Sequence, residues 1–446
     1  MAKKQISADI LSSIDEHGNR LYLQPAEVKG FYRDWRTKVQ VLLMFVFLAT
    51  PWTTINGMQS ILLDIPQREF YIFGFLFRAH NAPLIFFLLF GGAITLAFVT
   101  TVWGRVWCGW ACPQTVFIDG VFRRIEYFVE GNYLNRRKMQ TEPMTVSTFT
   151  KKIVKWILFT LASSLIAHSF LAYFVGAKSF IQIIEDGPSA NMTVFIVAQF
   201  FTALFLFDFG WFREQFCTIM CPYGRIQGLL LDKNSLAVAY EEKREADCVK
   251  CNRCVSACPI GIDIRNGLQM ECIACTACID ACDEIMEKVE KPKGLIKYKT
   301  LDDQPIKLTK PRSLLYLVAI LLCIVGLSYN LINLEHSEVF LVRAKDEPFK
   351  ASETDIINHF KIHVTNQSFA IRKYKLRTEN HEMIELIKAQ NEITLKPKEF
   401  REWHVFAKIS RTEFKPQLKI KLTIFDSENE KDFSRTLEAE LLGPAN

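Results

Sequence analysis

The chain contains no Walker-type phosphate loop, no serine triad and no convincing dinucleotide fingerprint, so no bound flavin or nicotinamide is implied. Strong charge is missing too. The formal net charge is +6 over 446 residues, and basic side chains do not gather on one soluble face, so no nucleic-acid partner is expected. Residues 1–38 lack the short apolar core and cleavage site of a secretory leader and read as a polar cytoplasmic arm. Residues 338–446 hold no cysteine, which excludes a disulfide staple there.

Apolar residues, by contrast, are abundant. They make up 50% of the chain, with 36 Phe, and gather in uncharged blocks near the roughly 20 residues a helix needs to cross hydrocarbon. Five spans are expected: about Val39–Gly57, Pro83–Gly104, Ile153–Gly176, Asn191–Trp211 and Leu314–Leu334. The apolar stretch Ile61–Ala79 is broken by Asp64, Pro66, Arg68, Glu69 and Arg78, and reads as interfacial. Lys and Arg crowd the N-terminal arm (Lys3, Lys4, Arg20, Lys29, Arg33, Arg36, Lys38) and the loop after the second span. Basic loops stay inside, which places the arm, that loop and residues 212–313 in the cytoplasm. An odd number of spans then leaves residues 338–446 in the periplasm.

That tail reads as all-β. Phe360, Ile362 and Val364, then Trp403, Val405, Ala407 and Ile409, then Leu418, Ile420, Leu422 and Ile424, recur at every second position. Phe406 breaks the alternation. Such runs predict an antiparallel sandwich of immunoglobulin-like size.

Twelve of the 13 Cys fall on the expected cytoplasmic side. A reducing compartment favours metal ligation over disulfides. Cys248-x2-Cys251-x2-Cys254-x3-Cys258-Pro259 is followed by Cys272-x2-Cys275-x2-Cys278-x3-Cys282. The doubled run is the arrangement of two-cluster bacterial ferredoxins, and is more specific than two zinc sites built from Cys pairs. In it the fourth Cys of each run ligates the other cluster. One [4Fe–4S] cluster is therefore expected on Cys248, Cys251, Cys254 and Cys282, and a second on Cys272, Cys275, Cys278 and Cys258. The fourth Cys is expected to start a helical turn pointing away from its own run. This ferredoxin domain covers about 240–290.

Two further motifs repeat Cys-x3-Cys-Pro: Cys108 and Cys112 with Pro113, and Cys217 and Cys221 with Pro222. Each follows an expected span. On a continuous helix their thiols would share one face. Four thiolates meeting at the membrane surface would suit a soft ion such as Cu(I), or an iron–sulfur cluster; buried Cys used as small apolar residues is the plainer alternative. Cys323 reads as helix packing, Met220 as packing before thioether ligation, and His168 as a helix–helix hydrogen bond or a ligand. His336 is weighed against a metal path. His359 and His363 read as solvated, and Asp208 as an interface marker.

The residues Gly104-Arg105-Val106-Trp107-Cys108-Gly109-Trp110, Cys112-Pro113-Gln114-Thr115-Val116, Cys221-Pro222-Tyr223-Gly224-Arg225 and Gly261-Ile262-Asp263-Ile264-Arg265-Asn266-Gly267-Leu268-Gln269 resemble the CcoG (FixG, RdxA) family over nearly the whole chain. So do Glu271-Cys272-Ile273 and Ala281-Cys282-Asp283-Glu284; the Asp after the last Cys departs from simple ferredoxins but agrees with this family. The resemblance implies an inner-membrane protein with five spans, an inserted ferredoxin domain and an extracytoplasmic immunoglobulin-like end. It also implies reduction of Cu(II) to Cu(I) for assembly of a cbb3-type cytochrome oxidase. Expected partners are then copper ions, oxidase assembly proteins or copper chaperones, and an unidentified electron donor. Oligomeric state stays open, a homodimer included. Two other functions remain: a quinol-linked electron-transfer subunit, and a scaffold that docks an oxidase.

Overall fold

The computed structural model describes residues 22–444 except for 56–57, 67–68, 79–81, 190, 233, 301, 303, 305, 307–309, 333–336, 344–348, 367, 369, 379–383, 389, 398, 416–417 and 431–432. His336 and the basic residues Lys3, Lys4, Arg20 and Arg68 lie outside the described residues, as do the expected span ends Gly57 and Leu334. The chain divides into two compact units, Met1–Ser328 and Tyr329–Asn446.

The first unit opens with α1, Phe31–Ala49. An antiparallel sheet follows, β1 Ile61–Asp64, β2 Glu69–Ile72 and β3 Phe75–Arg78. Next come α2 Ala82–Trp103, α3 Val106–Trp110, α4 Pro113–Phe117, α5 Arg123–Glu130 and α6 Val146–Val175. Then α7, Met192–Phe205, runs on as a π-helix, Leu206–Phe212. The ferredoxin region holds α8 Pro222–Leu230, β4 Leu236–Tyr240, α9 Arg253–Ala257, α10 Ala277–Lys288 and β5 Ile296–Thr300. Strands β4 and β5 pair antiparallel. Helix α11 is Pro311–Ile332.

Among the described residues four helices are long and apolar enough to cross a membrane: Pro83–Trp103, Val146–Val175, Met192–Phe212 and Pro311–Ile332. They match four of the five expected spans, and apolar side chains such as Phe86, Leu89 and Leu321 stand exposed on them. The first expected span, Val39–Gly57, needs correction. Its helix starts earlier and stops at Ala49, because the chain turns through Thr50–Trp52 at Pro51, which has no amide hydrogen to continue the ladder. Its first turns also carry Arg33, Asp34, Arg36 and Lys38, which lower its hydropathy. Even so, α1 is held at both ends. At its start the Tyr32 and Arg33 amides donate to the Asp280 carboxylate at 3.2 and 2.7 Å. Near its end the Tyr173 hydroxyl of α6 donates to the Phe47 carbonyl at 2.7 Å. Nineteen residues reach about 28 Å. The interfacial stretch forms β1–β3, seated against the far end of α6, where the Gln59 amide donates to the Ala172 carbonyl at 3.0 Å.

The second unit is the expected sandwich. Its strands are β6 Ser337–Arg343, β7 Phe349–Ala351, β8 Asp355–Asn366, β9 Arg372–Thr378, β10 Ile384–Lys388, β11 Glu392–Leu395, β12 Phe400–Ser410, β13 Lys419–Asp426 and β14 Ser434–Glu440. One sheet runs β10-β12-β8-β6 with β7 also on β8, and the other β11-β9-β13-β14, all antiparallel. Phe360, Ile362, Trp403, Val405, Tyr374, Leu422 and Ile424 fill one apolar core between them. Phe406 breaks the alternation because His359 covers it on the outer face, the rings stacked at 4.4 Å. His359 is thus more than solvated: its Nε2 lies 3.0 Å from His404 Nδ1. His363 stands 3.5 Å from Glu402.

In the first unit, where α5, α6 and the segment after α7 meet, lies a buried ion network. Glu126 accepts from Arg213 Nη2 at 2.6 Å and Nη1 at 3.2 Å, and Arg136 stands 3.7 Å away. Glu126, Arg136 and Arg213 are all 2% exposed or less. Burial alone would raise the Glu126 pKa, but the Arg213 guanidinium overrides it and holds the carboxyl below its usual range. Removing one member leaves uncompensated buried charge. Glu126→Gln is therefore expected to destabilise this unit by about 3–5 kcal/mol. Thermal unfolding in detergent checks it: the midpoint of the helical unit should fall while that of the β-sandwich stays, and an unmoved first midpoint contradicts the argument.

Candidate iron–sulfur relay

The two ferredoxin runs build the same loop twice. In the first, Lys250 and Asn252 flank Cys251 with φ of 55° and 57°. In the second, Ala274 and Thr276 flank Cys275 with φ of 51° and 63°. Left-handed backbone is uncommon outside glycine, and alternation of this kind turns amides inward into an anion-binding nest. After each loop a helix begins, α9 or α10, one residue before the third Cys.

The fourth Cys does not start a helical turn, contrary to the sequence expectation. Cys258 ends α9, and Cys282 sits in the second turn of α10. The crossed grouping nevertheless forms. Cys248, Cys251, Cys254 and Cys282 line one cavity, walled by Tyr240, Met286 and Ile296. Cys258, Cys272, Cys275 and Cys278 line another, walled by Val238, Ile262 and Ile264. Among the described residues no three His, Cys, Asp or Glu side chains stand at the spacing of a single ion. Four thiols around a larger gap suit a cubane, whose irons keep their ligands further apart than one ion does. Burial pushes the Cys258 and Cys282 thiols up to about 12 and Cys272 up to about 11. Bound iron would have to displace those protons.

The Cys-x3-Cys-Pro motifs differ from their expected form. Neither lies on a continuous helix, so shared helical faces do not gather the thiols. Helix α3 stops at Trp110, and Cys112 caps α4 with Pro113 at its first position. A π-turn, Phe216–Met220, stops likewise, and Cys221 caps α8 with Pro222 first. Proline inside a helix would lose a hydrogen bond and clash, whereas at the first position it costs nothing. The two turns close alike: the Cys112 amide donates to the Trp107 carbonyl at 2.9 Å, and the Cys221 amide to that of Phe216 at 2.8 Å. The four thiols still neighbour one another, though not at the spacing of a single ion. Burial pushes Cys108 up to about 11, with Cys112 and Cys221 near enough to add to the rise. Cys217 is likewise raised by burial and by Cys112, Cys108 and Cys221. Cys108 and Cys217 also pack in one apolar cluster with Cys258, Cys272 and Cys275.

Three cations missed as site residues surround these thiols. Arg105 donates to the carbonyls of Cys272 at 3.4 Å and Gly224 at 2.6 Å. Arg36 donates to the Cys275 carbonyl at 3.2 Å. Arg265 lines the first cavity and bonds Asn252 and Asp263, each at 2.7 Å. Arg105 and Arg265 sat in view within the motif blocks; Arg36 read only as part of a basic arm. Tyr240 was missed too; burial and then Cys248 push its hydroxyl up to about 12.

The remaining candidates play structural parts. Met220 is exposed. Cys323 is buried against Gly91 of α2. His168 Nδ1 lies 2.6 Å from the Ser164 carbonyl of its own helix. Asp208 accepts from Gln114 at 2.9 Å, which ties the first motif to the segment before the second.

Gly109 marks the tightest seam. A Cβ there would lie 2.6 Å from the Ile273 carbonyl oxygen and 2.7 Å from that of Ala274. Gly109→Ala is expected to cost about 1–3 kcal/mol by overpacking. Gly92→Ala, where nothing lies within 4 Å, should instead gain about 0.5–1 kcal/mol. Paired unfolding curves that show the same sign for both would refute the close contact.

Family comparisons agree with this layout. A family described as a 4Fe-4S binding domain matches residues 84–137. One described as a 4Fe-4S dicluster domain matches 212–246 and 241–301. One described as an IG-like fold at the C-terminal of FixG, putative oxidoreductase, matches 327–444. The chain is 31% identical to protein RdxA of Cereibacter sphaeroides over 64% of its own length and 63% of that protein. It is 34% identical to the nitrogen fixation protein FixG of Rhizobium meliloti, over 63% and 57%. Against protein RdxB of Cereibacter sphaeroides the figures are 33%, 66% and 67%. The chain thus spans less than two thirds of RdxA and of FixG.

Proposed function

The chain belongs to the FixG/RdxA family, and on that premise we propose that it carries electrons through two [4Fe–4S] clusters to Cu(II), releasing Cu(I) for assembly of a cbb3-type oxidase. Cys248, Cys251, Cys254 and Cys282 would hold one cluster, and Cys258, Cys272, Cys275 and Cys278 the other. When bound, the clusters supply one-electron carriers at potentials set by hydrogen bonds and solvent.

The chain's own residues do the rest. Arg36, Arg105 and Arg265 place positive charge beside the thiolates, which offsets their anionic charge in a poorly solvated setting. Ile260, Ile262 and Ile273 keep water from the seam between the second cavity and the four motif thiols. Cys108, Cys112, Cys217 and Cys221 are the proposed copper ligands. A thiol set prefers Cu(I) to Cu(II), so reduction and retention favour each other. One electron per ion balances the step. The ferredoxin region is assigned to the cytoplasm and the sandwich to the periplasm, where it would face oxidase assembly partners.

The observation that carries this reading is the apolar cluster in which Cys108 and Cys217 share neighbours with Cys258, Cys272 and Cys275. Anaerobically purified protein should contain about eight irons and eight sulfides per chain. After reduction it should convert Cu(II) to Cu(I), read with a chromogenic Cu(I) chelator. Cys108→Ser and Cys217→Ser should keep the iron and lose that conversion. Iron-free protein would sink the cluster assignment. Full conversion by both variants would sink the copper site alone.

A further inference from the structure

Strands β8 and β12 carry three histidines on the outer face of the sandwich. Register places His359 opposite Phe406, Lys361 opposite His404 and His363 opposite Glu402. These side chains alternate with the core residues Phe360, Ile362, Trp403 and Val405, so all six stand on the solvent side of the sheet. His359 and His404 are diagonal neighbours there, and both are half-buried. Their rings stack at 5.2 Å, and His359 Nε2 lies 3.0 Å from His404 Nδ1. The Phe406 ring, stacked on His359 at 4.4 Å, backs that imidazole. The electron relay uses none of these groups.

We propose that His359 and His404 chelate one divalent transition-metal ion of tetragonal preference, Cu(II) first among them, on the outer face of the second unit. Two imidazole nitrogens at about 2.0–2.1 Å from one ion stand about 2.9 Å apart at a right angle and about 3.3 Å apart in a tetrahedron. The observed 3.0 Å suits the right angle. Tetragonal nitrogen–oxygen sites favour Cu(II) or Ni(II), and Cu(II) binds most tightly of the divalent first-row ions. With no ion, the two nitrogens share one hydrogen bond. The ion takes its place, and the ring that donated moves its proton to its other nitrogen, so a neutral pair loses no proton. Among the described residues no third His, Cys, Asp or Glu joins the pair at the spacing of a single ion, so water completes the shell and the ion stays exchangeable. Two charges share the face. Lys361 opposes the ion, and Glu402, 3.5 Å from His363, offsets it. The chemistry differs from that of the motif thiols, since imidazole accepts Cu(II) whereas sulfur prefers Cu(I). The pair binds whether or not those thiols reduce copper.

The test uses the full chain in detergent with its iron in place and its clusters oxidised, so that they supply no electron. Cu(II) is titrated in anaerobically and followed by EPR. A Cu(II) signal split by two imidazole nitrogens is expected, saturating at one ion per chain; an ion on the motif thiols would show no such splitting. An outer partner of a metal ligand is worth about 10–100-fold in affinity, and a ligand no less, so His359→Gln and His404→Gln should each weaken binding at least about tenfold with iron content unchanged. Lys361→Gln removes a like charge and should tighten binding. Damage to the fold cannot produce both signs. Absence of the nitrogen-split signal, or a signal that both histidine variants leave intact, overturns the proposal. So does Zn(II) that displaces Cu(II) at equal concentration, since the pair would then lack the tetragonal preference. Copper reduction through Cys108 and Cys217, measured with reduced clusters, fails or survives independently of these outcomes.

Discussion

The first unit depends on the backbone of a single loop. Its carbonyls at Cys272, Ala274 and Cys275 each accept a donor from elsewhere in the chain: Arg105, the Tyr298 hydroxyl and Arg36. Gly109 lies against the carbonyls of Ile273 and Ala274. A few residues on, Asp280 caps α1. The loop's amides turn inward, as its left-handed residues require, so its carbonyls point out and need partners. The membrane-side elements provide two of them through Arg105 and Arg36, and β5 provides the third through Tyr298. The geometry that shapes a cluster nest and the geometry that seats the ferredoxin on the helices are therefore one geometry.

This arrangement explains why so much charge is buried. Arg36 and Arg105 reach the loop from α1 and from the end of α2, through places where water is scarce. An isolated buried cation costs several kcal/mol. Arg36 is met by Asp119, and Asp119 also takes Arg33. Although burial works against it, the two guanidinium groups hold the Asp119 carboxyl well below its usual range. The Glu126 network repeats the device one helix away with Arg213 and Arg136. Ionic pairs of this kind are poor sources of net stability but specify one arrangement, because every alternative strands a charge.

Much of this was legible in the sequence, for identifiable reasons. The doubled ferredoxin run fixes ligand identity by covalent spacing, and Cys248 through Cys282 sort into the crossed sets that spacing implies. The sandwich was legible because period two has no competing explanation over Phe360–Val364 or Trp403–Ile409. Helix α1 was misjudged because a hydropathy window averages its polar first turns with its apolar end, whereas the fold uses each for a different neighbour. Arg36 looked like one of seven basic residues in an arm. Nothing in its local sequence shows that Cys275, 239 residues later, takes its hydrogen bond. Contacts of that range are set by tertiary packing.

The Cys-x3-Cys-Pro motifs hold the most informative error. A continuous helix would have put the two thiols of each motif on one face by periodicity alone, and would have made the prolines a nuisance. The structure makes the proline the cause. Each Pro starts a new helix, which forces a break one residue earlier and leaves the second Cys as a cap in extended backbone. At a helix start the unpaired amides and the macrodipole favour a nearby negative charge. At Cys112 the Gln114 and Thr115 amides offset part of the burial that raises its thiol, while Cys108 and Cys217 lie a turn back against the ferredoxin thiols. Within each motif one sulfur thus packs against the ferredoxin thiols and the other caps the start of a helix. The same closure is built twice, once from an α-turn and once from a π-turn.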